Sequence, residues 1–195
     1  MNANVLANAF GPREGAALRV KQVVLVAVGI LVLAVAAKIK IPMWPVPITM
    51  GTFAVLTIGT AYGARLGLIT MLGYLLVGAL GFDVFASSSA EKFGLTYMMG
   101  GTGGYLIGYL LATVLLGALA ARGWDRSVGK LAVALLLANV VIYVPGLLWL
   151  GQLYGWDNPI LEWGLTPFLV GDAIKLGLAA LLIPAVWKLV GDARA

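Results

Sequence analysis

Six long runs of hydrophobic residues follow one another along the chain, separated by short segments rich in charge, proline or glycine. Each run approaches the roughly 20 apolar residues that a helix needs to cross the hydrocarbon core of a bilayer. The runs are continuous rather than alternating, which favours helices over the strands of a membrane barrel. We therefore predict an all-α membrane protein with six transmembrane helices. Their expected bounds are about 22–37, 46–61, 66–82, 101–121, 131–151 and 165–187.

The first run has a second interpretation, because it also resembles a cleavable signal peptide. Lys21 precedes an apolar core that ends in Ala34-Val35-Ala36, the small-residue pattern of a cleavage site. We expect the run to be retained as the first helix. Topology does not decide between the two interpretations, since the other five helices keep their orientation either way.

The basic residues are distributed unequally between the two sets of connecting segments. Of the 13 lysines and arginines, nine fall at the termini or in the second and fourth connections, and Lys175 falls within the sixth run. The remaining three are Lys38, Lys40 and Lys92. Because cytoplasmic segments carry the excess of basic residues, both termini are predicted to be cytoplasmic. Residues 1–21 are then a cytoplasmic tail, and residues 1–195 form a single domain in the cytoplasmic membrane.

Composition agrees with a membrane protein and narrows its chemistry. Hydrophobic residues make up 62% of the chain and charged residues only 11%, against about a quarter in soluble domains. The absence of cysteine and histidine excludes disulfides, zinc–thiolate sites and a histidine base or metal ligand. The net charge of +5 is explained by residues that flank the membrane. We expect no metal, no cofactor and no nucleic-acid partner.

No motif for nucleotide hydrolysis or nucleophilic catalysis is present. The segment from Gly123 to Gly129 resembles a P-loop, but five residues separate its glycines instead of four, and Leu131 stands where serine or threonine is needed. The serines at 87–89 have no histidine to activate them. The protein is therefore predicted not to be an enzyme, and any ATPase that drives it must be another polypeptide.

Asp172 and Lys175 are the only charges that interrupt the sixth run. An ionisable side chain inside a bilayer costs roughly 3 kcal/mol, so such residues usually have a function. Residues three apart share one face of a helix, and both side chains can point into one cavity. One interpretation is a buried ion pair, and the other is a recognition pair in which Asp172 accepts and Lys175 donates hydrogen bonds. The recognition pair favours a ligand with N–H donors beside a carbonyl, such as a cyclic urea or a lactam.

Glycines recur at intervals of four at two places, across the turn between the second and third helices and at the start of the fourth. They are Gly59, Gly63 and Gly67, and Gly100, Gly104 and Gly108. Small residues at this spacing let helices approach closely in lipid. An alternative for residues 100–104 is that the free N–H groups of a helix N-terminus bind an anion or a carbonyl.

Three motifs occur in an order that is typical of one family. They are Pro45-Val46-Pro47-Ile48-Thr49, Gly101-Thr102-Gly103-Gly104-Tyr105-Leu106-Ile107-Gly108 and Pro167-Phe168-Leu169-Val170-Gly171-Asp172-Ala173-Ile174-Lys175. Together they resemble the BioY family, the biotin-binding S components of energy-coupling factor (ECF) transporters, and the resemblance extends from about residue 20 to 188. It implies a six-helix substrate-binding subunit for high-affinity biotin uptake. It also implies separate coupling and ATPase subunits as partners, and leaves a homo-oligomer open.

The resemblance also implies which residues bind biotin. Asp172 and Lys175 would bind the ureido ring. Further site residues are Gly103, Gly104, Tyr105, Tyr143 and Trp149. The last two would cover the apolar ring and tail of the ligand with their aromatic rings. Lys92 is the first candidate for the biotin carboxylate, ahead of Lys38 and Lys40.

Two further segments have expected roles in a protein of this kind. The segment 38–46 is expected to close over the ligand, with Met43 and Trp44 covering an apolar ring. On the first helix, the face shared by Ala27 and Ala34 is expected to contact the coupling subunit.

Two alternatives stay open. An S component for another vitamin would have the same helices and the same partners. A stand-alone proton-coupled carrier would instead use Asp172 as its proton site. The lack of an inverted repeat and of histidine argues against the carrier.

Overall fold

Helices account for most of the structure, a computed structural model that describes residues 5–87 and 93–192. Within these ranges the helices are α1 (Gly15–Lys38), α2 (Gly51–Ala79), α3 (Gly94–Met98), α4 (Gly103–Ala121), α5 (Val128–Tyr154), α6 (Ile160–Gly164) and α7 (Leu169–Asp192). Two short strands, β1 (Lys40–Ile41) and β2 (Ile48–Thr49), lie between α1 and α2. Single 3-10 turns occur at Leu6–Asn8, Trp124–Arg126 and Thr166–Phe168.

Five helical segments of the described chain are long and apolar enough to cross a membrane. They are Gly15–Lys38, Gly51–Ala79, Gly103–Ala121, Val128–Tyr154 and Ile160–Gly191. Large apolar side chains on their outer faces stay exposed, including Leu76, Leu136 and Leu181. Such a surface is favourable in lipid and unfavourable in water. The architecture agrees with the predicted all-α membrane protein.

A sharp turn at Gly63 divides α2 into two arms. Gly63 has φ 79° and ψ 170°, a backbone region that is open almost only to glycine. The arms, residues 51–62 and 64–79, fold back on each other, because a Cβ on Gly67 would lie 3.6 Å from the Cα of Gly59. Eight residues of a straight helix would separate these positions by about 12 Å. The arms correspond in position to the second and third predicted helices.

α4 lies between α2 and α5, and glycines let the three backbones approach closely. A Cβ on Gly117 would lie 2.0 Å from the backbone nitrogen of Ala64, and one on Gly108 would lie 2.7 Å from the Cα of Ile142. No side chain fits at either position. At Gly108, a member of the predicted series, the structure thus supports close packing as the reason for the glycine spacing.

The two ends of the helix bundle differ in chemistry. At the end that we call the mouth end, α1 finishes and α2 and α4 begin. At the opposite end, α1 begins and α4 finishes, and four of the basic residues there are Arg13, Lys21, Arg65 and Arg122. We call this the basic end.

The segment before α2 differs from the sequence prediction. The sequence predicts a helix from residue 46, whereas residues 40–49 form a hairpin in which Lys40 pairs with Thr49. Pro45 and Pro47 have no backbone N–H to donate to a helix, and α2 begins only at Gly51.

Other helix bounds also differ from those predicted. α1 begins at Gly15 instead of residue 22, so part of the predicted tail is helical. α7 begins at Leu169 instead of residue 165, because the segment around Pro167 forms a tighter turn first, and it continues to Asp192. The short helices α3 and α6 occupy segments that the sequence predicts as loops.

Candidate binding site

A cavity at the mouth end is enclosed by the hairpin, by the 82–87 segment and by helices α1, α2, α3, α4, α5 and α7. Aromatic residues of its wall are Tyr74, Phe85, Tyr97, Tyr105, Tyr109, Tyr143 and Phe168, and polar residues are Thr49, Thr52, Thr102 and Asp172. The volume of this cavity is about 60 Å³, several times what one water molecule needs. Apolar walls with a few convergent polar groups are typical of sites for small molecules.

Asp172 and Lys175 lie inside the protein, with only 7% and 6% of their surfaces exposed. Lys175 Nζ donates to Asp172 Oδ1 at 2.9 Å and to the backbone oxygen of Thr49 at 2.6 Å. Tyr143 donates its hydroxyl hydrogen to Asp172 Oδ2 at 2.5 Å. Each carboxylate oxygen therefore accepts a charge-assisted hydrogen bond, which offsets part of the cost of burying the charge.

The two members of the pair differ in their relation to the cavity. Asp172 contributes to the cavity wall, whereas Lys175 does not and instead connects α7 to β2. A carboxylate oxygen can accept more than one hydrogen bond, and an ammonium has three donors, of which two are used here. Both groups thus retain capacity for a further partner, and the carboxylate is the one that the cavity reaches directly.

Tyr105 and Tyr143 form one side of the aromatic wall. Their ring centroids are 6.2 Å apart at an interplanar angle of 86°, and Tyr143 is 6.4 Å from the ring of Phe168. The Tyr105 hydroxyl donates to the backbone oxygen of Gly164 at 2.7 Å, which ties α4 to α6. The structure brings both predicted tyrosines to the cavity, where their rings can pack against an apolar ring.

Gly103, Gly104 and Trp149 lie behind the wall instead of on it. Trp149 Nε1 donates to the backbone oxygen of Gly100 at 2.9 Å, and a Cβ on Gly103 would lie 2.9 Å from the indole. A Cβ on Gly104 would lie 2.2 Å from the backbone oxygen of Pro145. These residues pack the start of α4 against α5 and so position the wall. The direct ligand contact predicted for them has no counterpart in the cavity wall.

Lys38 and Lys40, two of the lysines considered for the biotin carboxylate, do not contribute to the described part of the cavity wall. Lys92 lies outside the described residues. Lys38 Nζ donates to Asp83 Oδ1 at 2.5 Å and to the backbone oxygen of Phe85 at 2.7 Å. Lys40 Nζ donates to a backbone oxygen in the same segment. These contacts tie the 82–87 segment to the end of α1 and the start of the hairpin.

Most of the aromatic wall was not predicted from the sequence, namely Tyr74, Phe85, Tyr97, Tyr109 and Phe168. Tyr109 lies four residues after Tyr105 on α4, so helical spacing could have found it. Phe168 lies within the third motif. The other three come from different elements, and only tertiary packing brings them to one cavity.

The hairpin covers the cavity with its second half. Val46 and Pro47 belong to the cavity wall. Trp44 is 65% exposed and packs edge-on against Trp163, with centroids 4.9 Å apart, and against Tyr154 at 5.4 Å. Of the segment 38–46 that was predicted to close over a ligand, only Val46 contributes to the cavity wall, and Trp44 packs beside the cavity on α5 and α6.

The sequence matches one family over nearly its whole length. The model of the BioY family matches residues 8–192. A relative from Pyrococcus horikoshii, named "Probable biotin transporter BioY", is 34% identical over 165 residues, which is 85% of this chain and 95% of the relative. A "Biotin transporter BioY" from Thermotoga maritima is 33% identical over 159 residues, covering 80% of this chain and 89% of the relative.

A solved structure also has the same fold. The crystal structure of the S-component for biotin from an ECF-type ABC transporter matches with a TM-score of 0.74 at 23% identity. The match covers 90% of this chain and 95% of that protein. Family match, relatives and fold agree over almost the whole sequence, and the chain belongs to the BioY family.

Proposed function

We propose that this protein is the substrate-binding subunit for high-affinity uptake of biotin across the cytoplasmic membrane. The observation that carries the proposal is the buried carboxylate of Asp172, which is held by Tyr143 and Lys175 at the wall of an aromatic cavity. The names of the Pyrococcus and Thermotoga relatives support the same ligand over another vitamin. The protein is a transport protein and not an enzyme.

The chemistry of the cavity suits the head of biotin. The ureido ring carries two N–H donors on either side of a carbonyl. Asp172 can accept from an N–H, since each of its oxygens has a lone pair beyond its hydrogen bond to Tyr143 or Lys175. Lys175 would use its one remaining donor for the carbonyl. The rings of Tyr105 and Tyr143 would pack against the fused sulfur-containing ring.

The biotin carboxylate needs a partner of opposite charge or a set of hydrogen-bond donors. Lys92 keeps its place as the first candidate, because Lys38 and Lys40 are both engaged with the 82–87 segment. Lys92 falls just before α3, which begins at Gly94 and carries Tyr97 of the cavity wall.

The orientation follows from the helix bounds and the basic residues. Each arm of α2 would cross part of the membrane, which gives six spans from the five long segments. Both termini and the basic end then face the cytoplasm. The cavity opens outward, toward the source of the vitamin. Residues 1–195 form a single membrane domain in this arrangement.

Uptake requires partners that supply energy, because the sequence contains no nucleotide-hydrolysis motif. We infer a transmembrane coupling subunit and ATPase subunits, and the structural neighbour, which is an S-component of an ECF-type ABC transporter, supports this inference. On α1, Ala27 is exposed while Ala34 is half-buried against neighbouring helices, so Ala27 is the more accessible contact. A homo-oligomer is the alternative assembly.

Binding of radiolabelled biotin by the purified protein in detergent tests the proposal. We expect saturable binding at nanomolar biotin, and a loss of roughly a hundredfold or more in affinity for Asp172→Asn, which removes a buried charged acceptor. Asp157→Asn is the matched control, because Asp157 is exposed and is not part of the cavity wall. A folded wild-type protein that does not bind nanomolar biotin, or an Asp172→Asn variant that binds normally, would contradict the proposal.

A further inference from the structure

A second cavity lies at the basic end of the bundle, whereas the proposed biotin cavity lies at the mouth end. It is enclosed by the segment 5–13, by the start of α1, by the turn of α2 with the residues on either side of it, and by the end of α4. Its volume is about 410 Å³, far more than that of the cavity at the mouth end. The proposed biotin site leaves this space without a role.

Three basic side chains contribute to this basic cavity: Arg13, Lys21 and Arg65. None of the cavity residues in the described chain is acidic, and the sequence contains no acid before Glu14. Lys21 Nζ donates to the backbone oxygen of Phe10 at 2.5 Å. Neither Arg13 nor Arg65 makes a hydrogen bond or ion pair with another described residue, so both guanidinium groups can bind a ligand.

Positive charge in the basic cavity is uncompensated by the described residues. Arg13 and Lys21 lie close enough to repel each other, and Lys21 is also partly withdrawn from water. An anion between these groups would relieve the repulsion. Two arginines and a lysine around one space form a donor set that matches a phosphate group, since guanidinium binds phosphate oxygens in a bidentate manner.

The rest of the basic cavity is apolar and adjoins lipid. Leu18, Leu66 and Ile69 contribute to its wall, and Ile69 is also exposed on the outside of the bundle. The neighbouring face of α1 exposes Val20 and Val23. A free phosphate would use only the charged part of this space, whereas a lipid would use the apolar part as well.

We propose that the basic cavity binds a phosphate group, and that its source is the headgroup of an anionic phospholipid from the cytoplasmic leaflet. Basic pockets between helices on the cytoplasmic side of membrane proteins recognise such headgroups. The phosphate lies between Arg13, Lys21 and Arg65, and the acyl chains pass along Leu66 and Ile69. The lipid thereby bridges α1 to the turn of α2, where the chain reverses at Gly63.

Native mass spectrometry of the full chain with added lipid tests this proposal. We expect phosphatidylglycerol to be retained about tenfold or more better than phosphatidylcholine, which has the same phosphate but no net charge. The variant R13Q/R65Q should lose this preference, because it removes both guanidinium groups. The matched control K130Q/K188Q removes two exposed positive charges at the same end but outside the cavity, and should retain it.

Three results would overturn the proposal. Equal retention of the two lipids by the wild type would show that charge does not select the ligand. Equal loss of phosphatidylglycerol in both double variants would show that the cavity is not its site. Displacement of phosphatidylglycerol by an equal concentration of inorganic phosphate would identify a soluble anion as the ligand. The two wild-type comparisons remain decisive if R13Q/R65Q does not fold.

Failure here is distinguishable from failure of the proposed function. The basic cavity shares no residue with the biotin cavity, which lies at the other ends of α1 and α4. R13Q/R65Q protein that is folded in detergent should therefore bind biotin like the wild type.

Discussion

Asp172 is held by side chains from two helices, and its partner Lys175 is held in turn by the hairpin. Loss of any one contact leaves a buried charge with fewer hydrogen bonds, which is more costly than the same loss at the surface. Replacement of Tyr143 is the most specific test of these contacts, because its hydroxyl can be removed without changing charge or ring shape.

For Tyr143→Phe we expect the affinity for biotin to fall roughly tenfold or more, since a hydrogen bond to a charged group contributes about 1.5–3 kcal/mol. The carboxylate would lose the bond that fixes Oδ2 in place. Titration with radiolabelled biotin measures the change. Tyr62→Phe is the control, because it also removes one tyrosine hydrogen bond, to the backbone oxygen of Leu25, but outside the biotin cavity. Equal affinities in the two variants would refute the role of Tyr143.

Asp125 provides a pH-dependent prediction on the 3-10 turn between α4 and α5. It is fully buried, and Trp187 Nε1 donates to its Oδ2 at 2.6 Å. Burial raises the pKa of Asp125 above its usual 3.8, and the hydrogen bond from Trp187 opposes this only in part. The folded protein therefore keeps this proton at pH values where the unfolded chain has lost it, and stability falls as pH rises from 3.8 through the raised pKa.

A series of melting temperatures in detergent between about pH 4 and pH 8 tests this expectation. The wild type should lose stability relative to Asp125→Asn as pH rises, because the amide has no proton to lose. Asp157→Asn, at an exposed position, should follow the wild-type profile. Parallel profiles for the wild type and Asp125→Asn would rule out a raised pKa.

Local spacing determined which residues of the site were predictable from the sequence. Asp172 and Lys175 could be paired in advance because three residues separate them on one helix. Tyr143 and Thr49 could not be recognised as their hydrogen-bond partners, since they lie 29 and 126 residues away along the chain. The placement of Lys175 beside β2 and outside the cavity wall also depends on tertiary packing.

Glycine contacts determine how the long helices approach one another. α4 lies against both neighbours at positions where a single methyl group would overlap backbone atoms. Backbone cannot move aside as a flexible side chain can, so these contacts fix the distance between helices. Packing that is this close also strengthens dispersion contacts, which drive helix association in lipid.

Gly117→Ala should lower stability by about 1–3 kcal/mol or prevent folding, because its Cβ would lie 2.0 Å from the backbone nitrogen of Ala64. The melting temperature in detergent is the measurement. Gly129→Ala is the matched control near the start of α5, where a Cβ meets nothing within 4 Å and alanine favours the helix. A tolerated Gly117→Ala would contradict the close contact between α2 and α4.

The elements that could be predicted from the sequence were those with long hydrophobic runs. Long apolar runs were found because crossing a membrane imposes a length, as in α4 and α5. The hairpin was missed because its two-residue strands leave no periodic pattern in Lys40–Ile41 or Ile48–Thr49. The signals that were present, Pro45 and Pro47, indicated a break but not the pairing that forms around it.

The whole molecule depends on the reversal of the chain at Gly63. In the proposed arrangement, the reversal places the start and the end of α2 on the same side of the membrane and Arg65 at the basic end. Without it, α2 would be one straight span, and Arg65 would lie in the hydrocarbon. In that arrangement, the number of spans and the side of every later loop depend on this one turn.

Single cysteines can test this topology, because the chain has none of its own. In intact cells we expect Asp157→Cys to react with a membrane-impermeant maleimide. Arg65→Cys should react only after the membrane is opened. Arg122→Cys is the control for the cytoplasmic side and should behave like Arg65→Cys. Reaction of Arg65→Cys in intact cells, or its failure to react in opened cells, would contradict the six-span arrangement.

At this scale the sequence predicts an orientation but not the enclosure of a cavity. The excess of basic residues and the breaks between apolar runs predict a complete topology, which the cysteine experiment tests. The cavity could not be predicted in the same way. Its wall combines residues from Leu33 on α1 to Asp172 on α7, and no spacing rule connects them.

The pairing of Asp172 with Lys175 makes this part of the proposed binding site electroneutral. An electroneutral pocket attracts anions only weakly over long distances, although biotin itself carries a carboxylate. A fatty acid with a similar tail could pack against the apolar wall, but its methyl end has no N–H group to donate to the buried carboxylate of Asp172. Selectivity for biotin over other acids must then arise from the cyclic head, and we expect an analogue that keeps the tail but lacks the urea not to bind.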